Sequence, residues 1–191
     1  SKNKRNFFIG NGIAGMIILI GIFIFPFPLN GKEYKHIDIN NLFISFTFCY
    51  AVLHFVFYCL FDKKEPIESL YLSIGASIAC LLDVILMKKI NAYTALMISN
   101  GIFLILLLLA KGGIVKKYYQ KASALFYVEL YILILYAFIG ILITFSFFSR
   151  NSLCIIILGF YIVLLGILES FHTSIRCMLR AKRFIHRIRI E

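Results

Sequence analysis

The chain has no tryptophan, only three prolines and only nine acidic residues in a length of 191. Charged residues make up 15% and hydrophobic ones 61%, with a mean hydropathy of +0.91. A soluble domain needs more polar surface than this to cover its core, so water is excluded as the main solvent. The shortage of acid leaves a formal net charge of +11. Those basic residues lie in short gaps between apolar runs rather than on one accessible face, which excludes a nucleic-acid binder and fits the positive-inside rule. The five cysteines form no Cys-x-x-Cys pair and no metal-ligand spacing, so neither a disulfide nor a zinc site is expected. There is no Asn-x-Ser/Thr acceptor, no His-Glu-x-x-His, no Gly-x-Ser-x-Gly and no Walker loop, so the motifs point to no enzyme class and to no cofactor.

What the chain does have is long apolar runs. About 20 mostly apolar residues cross the hydrocarbon as a helix, and six windows reach roughly that length: 7–28, 42–61, 69–87, 92–110, 123–148 and 152–175. This predicts an all-α integral membrane protein with six spans over residues 1–175 and a basic tail over 176–191. The basic start, Lys2, Lys4 and Arg5, is like that of a secretory signal, but no small-residue cleavage site follows, so the run is read as a retained first helix. Pro26 and Pro28 close the first span, Asp62 to Pro66 the second, and Lys88-Lys89 the third. Lys111-Gly112-Gly113 is expected to stop the fourth, and Ser149 to Ser152 forms a tight turn before the sixth. With both termini inside, the inner segments hold fifteen Lys and Arg against five outside, which predicts a cell-membrane protein with cytoplasmic ends in contact with anionic lipid.

Small residues recur along these helices. Gly10, Ala14 and Gly21 in the first and Gly159, Gly166 and Ser170 in the sixth are spaced by four and seven, so each set lies on one helical face. Such faces let backbones approach closely and drive packing, or self-association, in lipid. The stretches around Gly21, Asp83 and Gly140 look alike in the odd-numbered helices, which suggests three copies of a two-helix hairpin. Chance similarity between apolar helices is the alternative.

Six helices in three hairpins, the stretch Ile18-Leu19-Ile20-Gly21-Ile22-Phe23-Ile24-Phe25-Pro26, and the sixth-helix stretch from Leu158 to Glu169 resemble the short-repeat membrane proteins typified by the HdeD acid-resistance protein. The second helix departs from the pattern, with Thr47 and His54 where the sixth has Gly159 and Gly166, and the third has Asp83 in place of a glycine. The resemblance implies a small, non-enzymatic inner-membrane protein associated with acid or envelope stress.

An ionisable group inside a span is costly unless paired or hydrated. Four qualify: His54, Asp83, Glu129 and Glu169. One reading brings His54 and Glu129 together, with Glu169 beside them, as a proton-exchanging or cation-binding group. The plainer reading, which the sequence favours, lets Glu169 and Asp83 reach headgroups while His54 bonds a neighbouring helix. Asn100 lies mid-span, where an amide bonds across helices as structural glue.

Two other functions stay open. Small six-helix substrate-binding subunits of energy-coupling-factor vitamin importers have similar size and topology, but the absence of tryptophan and the inward placement of the polar residues count against that reading. A lipid-modifying enzyme would need convergent groups near one interface, which Glu129, Glu169 and His172 could supply.

Overall fold

A computed structural model describes residues 2–24, 39–60, 67–121, 125–146 and 153–188, and among these it contains α-helix and one turn but no strand. The helices are α1 (Lys2–Ile24), α2 (Ile39–Leu60), α3 (Ile67–Leu86), α4 (Ala92–Gln120), α5 (Leu125–Ser146) and α6 (Leu153–Ile188). Five of them are long and apolar enough to cross a membrane, and α1 carries a shorter apolar stretch, Phe7–Gly21. Helices satisfy every backbone donor and acceptor within one segment, which is the condition for crossing hydrocarbon. Their outer faces carry large exposed apolar side chains, among them Phe8, Leu19, Phe48, Leu81, Leu109, Phe138 and Phe145. No aqueous surface of a monomer tolerates so continuous an apolar belt, and lipid covers it here. The chain is an all-α, multi-pass membrane protein. The Pro26–Pro28 stop, residues 61–66 and the turn at 149–152 lie outside the described residues.

The local chemistry accounts for the turn between α3 and α4. Exposed Lys88 and Lys89 interrupt the apolar run, the Ile90 N–H still reaches the Leu86 carbonyl at 2.9 Å, and the Asn91 side chain caps α4 by accepting from the Tyr93 N–H at 2.9 Å.

The end of α4 differs from expectation. Lys111-Gly112-Gly113 does not stop the helix, which runs on to Gln120. Each helical glycine costs about 1 kcal/mol relative to alanine, but no proline removes a donor here, and Lys111 is buried among partners that hold the helix in register. The sixth helix also runs unbroken through the basic segment to Ile188, so residues from 176 onward continue α6.

The small-residue faces of α1 and α6 lie against each other, and this is the most extensive helix pair in the molecule. A Cβ on Gly21 would fall 2.6 Å from a Val163 methyl and 3.0 Å from the Gly159 carbonyl oxygen, and one on Gly166 would fall 3.0 Å from the Ala14 carbonyl oxygen. Gly10 opposes Thr173. Ser170 closes the seam by donating to Asn11 Oδ1 at 2.6 Å. Gly140 on α5 receives the Leu104 side chain of α4. The remaining close pairs are α2–α3, α3–α4 and α4–α5, whereas α1 touches α2 and α5 touches α6 much less. That pairing does not display a threefold hairpin repeat.

Candidate functional site

The buried charged residues gather at the two ends of the bundle. A mainly apolar middle, holding Thr47 and Ser73, separates them.

At the α3–α4 end, Asp83 is fully buried. Asn40 of α2 donates from Nδ2 to both of its carboxylate oxygens at 3.2 Å and to the Ala92 carbonyl at 3.0 Å, and Ser99 of α4 donates to Oδ1 at 3.1 Å. Three helices are thereby pinned to one carboxylate. Asp83 reaches into the bundle rather than to headgroups, because these donors compensate its desolvation. Next to Ser99 on α4, Asn100 donates to Thr144 Oγ1 of α5 at 2.8 Å, and Thr144 in turn donates to the Gly140 carbonyl at 2.8 Å.

Phe43, Phe46, Leu72, Ala76, Phe103 and Leu107 fill the middle and are all but inaccessible. The Phe103 ring stands edge-on to Phe46 at 6.4 Å and to Tyr50 at 5.5 Å between centroids. Such edge-to-face contacts are the favoured aromatic geometry.

The α2–α3 end holds the larger cluster. Lys111 of α4 donates to Glu68 Oε1 of α3 at 3.3 Å and pairs with Glu169 Oε1 of α6 at 3.4 Å. Its ammonium also lies 4.6 Å above the centre of the Tyr136 ring of α5, close enough for a cation–π contact. Glu68 sits in the first turn of α3, where the helix dipole favours an anion. Tyr50 of α2 donates its hydroxyl to Glu169 Oε1 at 3.2 Å. One turn along α6, His172 Nε2 and Glu129 Oε2 of α5 are 2.6 Å apart, both almost wholly buried. A separation this short requires a proton between them, held by the imidazole or the carboxyl. His54, one turn beyond Tyr50, packs its ring 4.4 Å from the tyrosine ring.

Glu129 therefore meets His172, not His54, a correction to the pairing drawn from the sequence. His54 lies near Glu169, which also feels the charges of Lys111, His172 and Glu68. Glu169 turns inward to Lys111 and Tyr50 instead of reaching headgroups. Hydropathy alone does not mark Lys111 and Glu68 as buried, because Lys111 follows the fourth apolar window and Glu68 lies one residue before the third. The spacing Ser99, Phe103, Leu107, Lys111 at intervals of four would have placed that lysine on the buried face of α4.

Cys49, Cys59 and Cys80 are free thiols. Among the described residues no group of three His, Cys, Asp or Glu side chains is arranged to hold a metal. The chain matches no family model, no curated protein and no solved structure.

Proposed function

We propose that this chain is a non-enzymatic protein of the cell membrane that responds to proton concentration through the α2–α3 end cluster, in the acid or envelope stress setting that the HdeD resemblance implies. The observation that carries the reading is the buried Glu129–His172 contact at 2.6 Å. Histidine is the side chain whose ordinary titration falls closest to neutrality, and a carboxylate at hydrogen-bond distance couples that titration to helix packing, here α5 against α6. The middle of the bundle, filled by Phe43, Phe46, Phe103 and Leu107 and holding Thr47 and Ser73 but no charged side chain among the described residues, supports a sensor over a conductor.

With Lys111 buried in the bundle, fourteen basic residues remain on the side of the termini against five on the other, which supports cytoplasmic termini and a cluster that reads cytoplasmic pH. Hydrogen–deuterium exchange in nanodiscs provides the test. Protection of α5 and α6, after the intrinsic pH dependence of amide exchange is divided out, is expected to differ between about pH 5 and pH 8 in the native chain. Glu129→Gln should abolish the difference. A response of the same size in Glu129→Gln and His172→Gln would remove the dyad as its source.

A lipid-modifying enzyme is the second reading, favoured by the convergence of Glu129 and His172, since a histidine oriented by a carboxylate is a general base. Turnover of labelled phospholipid that disappears in His172→Gln would replace the first reading with this one.

A further inference from the structure

His54 is 4% exposed, yet neither of its ring nitrogens has a hydrogen-bond partner among the described residues. A neutral imidazole carries one donor and one acceptor, so both are unmet. The Tyr136 hydroxyl, 2% exposed, makes no hydrogen bond of good geometry, although Glu169 is the carboxylate it approaches. Such groups are destabilising if they stay dry. These groups flank one place: the His54 ring packs against Tyr50, whose hydroxyl donates to Glu169, and the Tyr136 ring lies beneath Lys111, which pairs with the same carboxylate.

The charges around that place are numerous. His54 faces Glu68 from α3, Lys111 from α4 and Glu169 from α6, with Tyr50 beside it on its own helix. From α5 come Tyr136 and, one turn beyond Glu169, Glu129 against His172. The described side chains of α1 add only the exposed Arg5. Buried polar atoms without protein partners are commonly satisfied by ordered water.

We propose that ordered water occupies the space between His54, Tyr136 and Glu169, and that this water links His54 to the Glu129–His172 dyad through Glu169. The ligand class is water with an exchangeable proton. Its role deepens the pH-responsive reading and rests on it: the dyad binds the proton, and the water carries the change across to α2. Each step breaks one O–H or N–H bond, leaving its electron pair on the donor, and forms another on the acceptor's lone pair, and each donor is re-protonated by its neighbour, so no heavy-atom bond changes.

The test is magic-angle-spinning NMR of histidine-15N-labelled protein in nanodiscs, reading water-to-imidazole polarisation transfer and the titration of each ring. Water transfer to His54 is expected, together with a shift of the His172 titration midpoint in His54→Phe. A control variant at the other end of the bundle, Ser99→Ala, which removes a bond to Asp83, should leave that midpoint in place. No transfer to His54 overturns the water site. Transfer with an unmoved His172 midpoint in His54→Phe overturns the link. A dyad that does not titrate at all between about pH 5 and 8 defeats the pH-responsive reading instead, while the water contact at His54 is still read directly. Should His54→Phe fail to fold, His54→Gln keeps polar atoms at the position and reports the same midpoint.

Discussion

Lys111 shows how much depends on single side chains in this bundle. Its ammonium is shared by two carboxylates from two other helices and by the face of Tyr136. Removing one member of a buried ionic group strands the others, at about 3–5 kcal/mol. Lys111→Met is therefore expected to lower the midpoint of unfolding in mild detergent by that order. Adding Glu68→Gln and Glu169→Gln to it should recover much of the loss, because the stranded charges go with them. A triple variant no more stable than Lys111→Met would show that the network is not the source. His54, Asp83, Glu129 and Glu169 were legible in the sequence because each interrupts an apolar window. Lys111 and Glu68 were not, because they stand at window margins, where hydropathy reads a boundary and only the face of the helix reveals burial.

At the scale of the elements, the number and rough extent of the helices follow from hydropathy, since an all-α architecture is the only way these apolar runs satisfy their backbones in lipid. The continuation of α4 through Gly112 and Gly113 was not legible, because glycine signals a stop in water and a tolerated cost in a packed bundle. Nothing lies within 4 Å of a Cβ built on either glycine. Gly112→Ala and Gly113→Ala are each expected to stabilise the protein by about 0.5–1 kcal/mol, seen as a raised unfolding midpoint; a loss of stability would mean that the local backbone is not helical. The opposite holds on α1. Gly21→Leu has to displace the Val163 and Gly159 backbone atoms of α6, so it should separate these two helices, and crosslinking between cysteines introduced on their facing sides should fall sharply. The two small-residue stripes were visible in the sequence, but that they face each other depends on the bundle closing, which no local pattern encodes.

The whole molecule places its buried charged groups at both ends and fills its centre mainly with aromatic and aliphatic side chains. Glu68 and Asp83, fifteen residues apart on α3, are separated by about 22 Å of helix at 1.5 Å per residue. Sites that far apart with no shared partner act independently. Asp83→Asn is accordingly expected to lower stability without changing the pH dependence of α5 and α6 exchange, and its effect should add to that of Glu129→Gln. A changed pH response in Asp83→Asn would mean that the two ends communicate through the aromatic middle.

The pairing of the first helix with the last also bears on how the chain is made. Some 130 residues separate Ile24 from Leu153, so at ordinary translation speeds α1 waits on the order of ten seconds before its partner leaves the ribosome. During that interval the groove of Gly10, Ala14 and Gly21 stands open to lipid or to the insertion machinery. Truncation of the nascent chain before α6 should therefore leave α1 exposed to quality-control proteases that the finished bundle escapes.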